Sequence, residues 1–423
     1  MCVIRATKPM KIRPTRTGGP TFAAASVYRA GEPADGELSR RLARYTVLAH
    51  DPAVPIVAAD YWVHSSPFYD SVVAETKAAV APYPDASAAL GELMARPTET
   101  VAVRRLQHRL AELITSHPRR FDAARRAADV ADRNVYISDF LGMEHQSVAP
   151  GVGPDRLRAL AAERPPRAAG GNEVLVVIPF SDPHGAGRLR NLLACLLALR
   201  DQTLPARHCR ITVVELDTFP RWRSAIEPLV DDYLHIRGDG PFNKSWALNV
   251  GVRATLGSAR TLCLLDADIL TDREFLERNH ARFADADNDA HLPHTEMLSL
   301  DRASSDWAIA RRCVAGTASA PPAGLHGLLL RDVPGACLWT RPEIFHRISG
   351  FDERYQGWGG EDEDMLFRTT SAGSVIQYDD MFLHLAHRRP AMHRADGKPF
   401  NGHIDVGSWT GDRGYGDPTG PAL

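Results

Sequence analysis

From residue 173 to 284 the chain alternates between uninterrupted apolar runs and amphipathic stretches. "EVLVVIPFSD" is apolar until Pro179, as a strand buried on both faces of a parallel sheet would be. "RLRNLLACLLALRDQ" then carries a helical stripe, "CRITVVELD" reads as a second strand, "SWALNVGVRAT" as a second helix and "RTLCLLDADIL" as a third strand. "TDREFLERNHARFA" predicts a third helix, with Thr271 as N-cap and Glu274 closing a capping box. Strand and helix in alternation predict an α/β domain with a central, mainly parallel sheet and helices on both faces. Ligands of such sheets sit beyond the carboxyl ends of the strands, which directs attention to 179–182, 215–217 and 266–268.

Residues from about 35 to 165 have another texture. They are rich in Ala and Arg, and "VAVRRLQHRLAELITSHPRRFDAARRAADVADRN" spaces its apolar positions by threes and fours, as amphipathic helices do. "AERPPRAAGGNE" (162–173) pairs prolines with glycines, the composition of a linker. The expected division is a mostly helical N-terminal region at 1–170 and the α/β domain at 171–423. Residues 284–333 break the strand–helix rhythm with "ADADNDAHLPH" and a Pro/Ala/Gly-rich segment, and are expected to form an insertion near the acceptor side of the site.

Charge narrows the partners. With 50 Lys and Arg against 52 Asp and Glu, the formal net charge is −2. No basic excess favours nucleic acid or an anionic membrane, so a small polar substrate is expected. No window approaches the roughly eighteen apolar residues of a membrane span, and the start lacks the apolar stretch of a signal peptide. A cytoplasmic protein without a membrane span is the expectation. Cys2, Cys195, Cys209, Cys263, Cys313 and Cys337 form no CxxC pair, which fits reduced, packed thiols rather than a zinc site or disulfide framework.

Three constellations could carry chemistry. Asp266 and Asp268 close a strand two positions apart, so period-two geometry would send both to one side, where their oxygens suit Mg²⁺ or Mn²⁺ completed by substrate phosphates. Capping of the next helix is the plainer alternative. Asp285 and Asp287 have the same spacing but follow no strand, and are not expected to bind metal. In "QGWGGEDEDMLFR" (356–368) four carboxylates follow a Gly-Gly pair and Trp358. Acids in a first helical turn complement the helix dipole, which accounts for two of them; a polyol stacked on Trp358 and hydrogen-bonded to carboxylates would use the rest. His384 and His387 in "DDMFLHLAHRRP" are candidate ligands in a strand running into a loop.

"VVIPF", "FNKSWALNVGV" (242–252), "LLDADIL", "PGACLWTRPEIFHRISGFDERYQGWGGEDEDMLFR" (334–368) and the downstream Met381 and His384 occur in this order. Through them, residues from about 172 to 390 resemble inverting glycosyltransferases of the GT-A fold, in particular the branch containing β-1,4-galactosyltransferases and bacterial chondroitin-type polymerases. The resemblance implies a nucleotide-sugar-binding domain that moves a hexose, expected to be glucose, from a UDP-sugar donor to a hydroxyl of a small polyol or secondary-metabolite acceptor. Mn²⁺ or Mg²⁺ would be the cofactor. By the same resemblance Pro179, Phe180, Arg188, Glu215, Asp217, Asn243, Lys244 and Asp266 would hold the nucleotide sugar. Asp268 and His384 would ligate the metal, with His387 in reserve; Trp358, Gly359, Gly360 and Glu361 would bind the acceptor, and Asp362 would be the general base. "FSDPHGAGRLRNLL" lacks the Arg-rich pattern usual after the first strand of the galactosyltransferases, and the first 165 residues match nothing in the family.

Other readings share parts of this pattern. A glycan or polysaccharide galactosyl- or hexosaminyltransferase would use the same residues on another acceptor. A sugar nucleotidyltransferase also combines an α/β domain, carboxylates and Mg²⁺, and "GAGRLR" resembles its Gly-rich loop, but "PFSDPH" intervenes after the strand. A noncatalytic sugar-binding protein would keep Trp358 without needing Asp362, Asp268 and His384 together.

Overall fold

The computed structural model describes residues 12–14, 37–57, 59–141, 150–163, 173–183, 185, 187–321, 324–331, 333–388, 394, 396, 398–412 and 414–422. Most of the expected linker and Cys2 lie outside them. The strands are β1 (Ile12–Pro14), β2 (Ile137–Leu141), β3 (Val174–Phe180), β4 (Cys209–Asp217), β5 (Asp232–Arg237), β6 (Thr261–Leu265), β7 (Ile269–Leu270), β8 (Ala290–Leu292), β9 (Glu296–Leu300), β10 (Gly327–Arg331), β11 (Cys337–Thr340), β12 (Val375–Gln377) and β13 (Phe382–His384).

The larger sheet has eight strands in the order β1-β12-β8-β11-β6-β3-β4-β5. Its centre, β6-β3-β4-β5, is parallel throughout; only β11 runs antiparallel to its neighbours β6 and β8. The fold is thus α/β with a mainly parallel central sheet. Every residue of β3 and β6 is buried, which is why their sequences are continuously apolar instead of alternating.

A second sheet, β2-β10-β9-β13-β7, was not expected. It draws β9 and β10 from the stretch 284–333, while β8 from the same stretch pairs within the larger sheet. The segment is therefore woven into both sheets and is not an insertion set apart from them. Its polar, Pro-rich ends hid short strands whose burial comes from the neighbouring sheet.

The N-terminal region is mostly helical, with helices at Glu37–His50, Ala59–Val80, Pro84–Ala95, Thr100–Ser116 and Asp122–Asn134. In Thr100–Ser116 the buried residues Val103, Leu106, Leu110 and Ile114 recur at three and four, as the pattern requires. One apolar core runs from Leu42 and Leu106 through Ile137 to Val176 and the helix Arg188–Arg200. Tyr69 Oη donates to the Ile137 carbonyl at 2.6 Å, tying the helices to β2, and β2 pairs with β10. A compositional division at 170 consequently does not mark a break in the core. The helix Arg188–Arg200 is buried on all sides from Leu189 to Leu199, as a helix packed between two layers must be.

Two local expectations change. The capping box at Thr271 does not form: the helix is Phe275–Ala281, Thr271 is buried, and Asp272 Oδ1 instead accepts from the Glu274 amide at 2.8 Å. The Asp266–Asp268 triplet is a turn between β6 and β7, not extended strand. Cys195, Cys209, Cys263, Cys313 and Cys337 are buried and in no disulfide, as the cysteine spacing suggested. Among the described residues no helix is long and apolar enough to cross a membrane.

The helix Lys244–Thr255 lies against β3 and β4 with Gly251 at the contact. A Cβ there would overlap Val177 Cγ1 and come within 2.9 Å of Val214 Cγ2. Gly251→Ala should therefore destabilise the fold by about 1–3 kcal/mol through overpacking, despite the better helix propensity of alanine. Urea denaturation checks this; unchanged or greater stability would show that the helix is free to lift off the sheet.

Candidate active site

The turn after β6 lies where the two sheets meet. β7 leaves the turn, pairs with β13 so that Ile269 faces His384, and the Leu385 amide donates to the Asp268 carbonyl at 2.8 Å. Sequence positions more than a hundred apart are thereby fixed around one turn. Because the chain turns there, the two aspartates do not share a strand face but point to different partners.

Asp268 faces the imidazoles. His387 Nε2 lies 3.0 Å from Asp268 Oδ2 and His384 Nε2 3.6 Å from Oδ1. One ligand atom from each of the three lies within 4.8 Å of the others. His387 Nδ1 is 2.9 Å from the Arg388 carbonyl, which can only accept, so Nδ1 carries a hydrogen and Nε2, beside Asp268, is the nitrogen that a metal would take. Asp268 Oδ1 is buried and makes no hydrogen bond, a costly state for a carboxylate oxygen unless a cation completes it. Burial would raise the Asp268 carboxyl, but His384, His387 and Arg188 hold it well below the carboxylate range. One carboxylate on this turn and two imidazoles from β13 and the loop after it fit a divalent metal. Of the two histidines weighed, the structure brings both.

Asp266 faces Lys244, the first residue of the helix Lys244–Thr255. Lys244 Nζ is 2.9 Å from Asp266 Oδ1, 2.9 and 3.1 Å from the two oxygens of Asp362, and 4.0 Å from Glu361 Oε1. Burial would lower the ammonium's pKa, but Asp266, Asp362 and Glu361 hold it well above its ordinary value. Burial raises the Asp266 carboxyl, with Lys244 opposing and Asp362 and Asp268 adding to it. Glu361 is pushed up to about 7 by burial and then by Asp362, against Lys244.

The four acids thus have distinct fates. All lie in the first turn of the helix Glu361–Ala372 behind Gly360. Glu361 and Asp362 turn to Lys244. Asp364 is fully buried, bonded to Arg368 at 2.7 Å and to the Gly407 amide at 2.7 Å, and is structural. Glu363 is exposed. Gly359 and Gly360 have φ of 93° and 95°, a region L side chains rarely adopt, and a Cβ on Gly360 would lie 2.6 Å from Tyr355 Cε1. Trp358, just before them, is half-buried and meets Tyr61 edge-on.

The remaining candidates are scattered along the strand ends. Phe180 is a core side chain, 2% exposed. Arg188 opens the helix Arg188–Arg200 within electrostatic reach of Asp268. Glu215 accepts from the Trp222 amide at 3.2 Å and from Tyr233 Oη; Asp217 accepts from Arg221 Nε at 3.0 Å and the Thr218 amide at 2.6 Å. Asn243 caps its helix, accepting from the Trp246 amide at 2.8 Å and donating to the Glu353 carbonyl at 2.7 Å. Glu215, Asp217 and Asn243 are engaged inside the protein, whereas Lys244, Asp266, Asp268, Glu361, Asp362, His384 and His387 gather around the turn after β6 and the start of the helix Glu361–Ala372.

Several supporting residues carried no signal in the sequence. Asn401 grips the Gly-rich loop, accepting from the Gln356 amide at 3.1 Å and donating to the carbonyls of Gln356 at 3.0 Å and Gly359 at 2.8 Å. Glu353 is buried and accepts from Asn249 at 2.8 Å and from the amides of Gly416 at 2.6 Å and Ala422 at 2.7 Å. Asn191 and Ser305 hold the loop after His384 through the Ala386 carbonyl at 3.2 Å and amide at 2.8 Å. Gly335 leaves room for Asp362, since a Cβ there would overlap Oδ2. Ala336, the residue after Gly335, has φ 75°.

Comparisons with known proteins agree in part. Residues 331–393 match a family model described as the N-terminal domain of galactosyltransferase. Human β-1,4-galactosyltransferase 3 is 27% identical over 188 residues, covering 42% of this chain and 40% of its own; the mouse protein gives the same figures. The chain thus matches well under half the length of these relatives. The catalytic domain of Drosophila β1,4-galactosyltransferase 7, complexed with xylobiose, superposes with TM-score 0.33 and 16% identity, covering 54% of this chain and 77% of that one. A mannosyltransferase from Pyrobaculum calidifontis, complexed with GDP-Man and Mn²⁺, gives 0.33 and 17%, covering 58% and 65%. Superpositions this loose carry no further weight.

The raised Glu361 carboxyl has a consequence for stability. Between its ordinary value of 4.5 and about 7 the folded metal-free protein keeps a proton that the unfolded chain has released, so this group's contribution falls as pH rises through that window. Glu361→Gln removes the titration. Unfolding measured from pH 4.5 to 7 should show wild type losing stability relative to the variant; parallel curves would mean that Glu361 ionises normally in the fold.

Proposed function

We propose that the chain is a metal-dependent inverting glycosyltransferase of GT-A type, moving a hexose from a UDP-sugar to a hydroxyl of a small acceptor. The observation that carries this reading is Lys244, whose ammonium touches both the strand-end Asp266 and the helix-end Asp362. A carboxylate behind the glycines is thereby linked, through Lys244 and Asp266, to the turn that carries Asp268. The family-model match at 331–393 and the galactosyltransferase relatives support the same class. The finer expectation is glucose as the hexose and a polyol such as the aminocyclitol validoxylamine A as acceptor, within secondary metabolism. A galactosyl- or hexosaminyltransferase acting on a glycan is the alternative.

In this reading Asp362 takes the proton of the acceptor hydroxyl while that oxygen attacks the anomeric carbon from the face opposite the departing UDP. Lys244 donates to both Asp362 oxygens and so fixes the carboxylate's direction. Trp358 presents an apolar ring face to the acceptor, and Glu361 accepts from hydroxyls. Asp268, His384 and His387 would hold the cation, and two nitrogen donors favour Mn²⁺ over Mg²⁺, which prefers oxygen alone. When bound, the ion supplies positive charge against that developing on the leaving diphosphate.

Incubation with UDP-sugars, Mn²⁺ or Mg²⁺ and a panel of polyols decides among the readings. Release of UDP with a glycosylated product supports transfer, pyrophosphate points to a nucleotidyltransferase, and turnover of nothing with sugar binding points to a lectin-like role. Asp362→Asn should lower transfer at least ~100-fold while UDP-sugar affinity stays within about threefold, because shape is kept and the proton acceptor is lost. Full activity would remove Asp362 from the chemistry. Independently of activity, Mn²⁺ bound by wild type and followed by electron paramagnetic resonance should be lost in Asp268→Ala. In His384→Ala and His387→Ala it should weaken by about 10-fold or more; equal binding in all four proteins would place the ion elsewhere.

A further inference from the structure

Trp358 is the first of a run of aromatic rings. Tyr61, at the start of the helix Ala59–Val80, meets it edge-on, with ring centroids 6.4 Å apart and planes at 72°. Tyr136, just before β2, lies 5.5 Å from Tyr61 at 56°, and His64 lies 5.2 Å beyond Tyr136. Trp358, Tyr61 and Tyr136 are half-buried, whereas Tyr45 and Tyr69, deeper among the helices, are 1% and 0% exposed.

Rigid elements hold these rings. Tyr61 rests on the main apolar core, and the Tyr136 carbonyl accepts from the Arg331 amide of β10 at 2.9 Å. The run also borders the helix that carries Asp362: Trp358 precedes that residue by four positions, and Glu363 of the same turn is among the groups that raise the Tyr136 hydroxyl, after burial itself. Neither tyrosine lies in the segment that matches the galactosyltransferase family model, 331–393.

Saturated rings place their C–H faces on aromatic faces and their hydroxyls near groups such as tyrosine OH. One such ring is served by Trp358 alone. Two further half-buried aromatic rings, centred 6.4 Å and then another 5.5 Å onward from Trp358, continue from it on a separate part of the chain. We infer that Tyr61 and Tyr136 form a second acceptor subsite, which takes the distal ring of a two-ring polyol or disaccharide-like acceptor whose proximal ring lies against Trp358. This rests on the glycosyltransferase reading and specifies its acceptor class.

The test compares methyl β-glucoside, a one-ring acceptor, with cellobiose and validoxylamine A, using UDP-glucose or UDP-galactose and Mn²⁺. Tyr61→Ala and Tyr136→Ala should each raise KM for the preferred two-ring acceptor about five- to tenfold. Donor KM, kcat and one-ring kinetics should stay within about twofold. Tyr61→Phe should behave as wild type. A merely structural role would instead lower kcat and affect both acceptors and the donor together, which overturns the inference, as does an unchanged KM in both alanine variants. If wild type transfers to none of these acceptors, saturation-transfer NMR with UDP and Mn²⁺ present is the readout. Two-ring polyols that bind no better than the one-ring glucoside then overturn the second subsite, and loss of their advantage in Tyr61→Ala supports it. UDP release from the donor without acceptor reports separately on the glycosyltransferase reading.

Discussion

Three carboxylates within about 4 Å of one ammonium set the terms for the rest of the molecule. Lys244 contacts Asp266, Glu361 and Asp362, which arrive from a strand-end turn and a helix first turn separated by almost a hundred residues. Without the lysine these acids would repel one another in a poorly solvated pocket, where like charges push protons back onto carboxyls. Even with it the balance stays negative, and the raised Glu361 and Asp266 carboxyls are the response. A pocket of that sign welcomes hydroxyls and cations but repels a bare diphosphate. A ligand carrying phosphates would fit such a charge only together with a divalent ion, and the turn that supplies Asp266 also supplies Asp268, which faces the imidazoles of His384 and His387.

Holding such a cluster needs a backbone that does not relax. The Gly-rich loop uses φ values near 90° at Gly359 and Gly360, which by themselves confer freedom rather than order. Order comes from the chain's later residues. Asn401 takes up the loop's amide and carbonyl groups, and Glu353 ties Asn249 to the backbone of Gly416 and Ala422. Both side chains are buried, and a buried polar group left half-bonded would cost more than it contributes. On the metal side, Asn191 and Ser305 do the same for the loop beyond His384.

What the sequence disclosed follows from the range of the interactions involved. The parallel centre of the sheet was readable because burial on both faces leaves continuous apolar runs. The acids of the helix Glu361–Ala372 and the aspartates after β6 were readable because charge beside glycine or after a strand is locally anomalous. The second sheet was not, since β7, β9 and β13 are short and owe their burial to partners far along the chain. The direction of Asp266 and Asp268 was misjudged for a related reason: a strand's period of two holds only while the chain stays extended, and here it turns at Asp266. Asn401 and Glu353 are ordinary polar residues in ordinary composition, and only the fold shows what they hold.

The division of labour between the two sides of the pocket follows from this layout. The charged side is bound into both sheets, so that moving Lys244 or Asp268 disturbs the junction on which β7 and β13 depend. The aromatic side reaches Trp358 from N-terminal helices that share the apolar core but contribute no group to the carboxylate network. Changes at Tyr61 or Tyr136 would thus reshape what lies against Trp358 while leaving the carboxylates around Lys244 in place. On the proposed function, specificity would then be carried on one layer and chemistry on another, an arrangement that lets a catalytic core take new acceptors without being rebuilt.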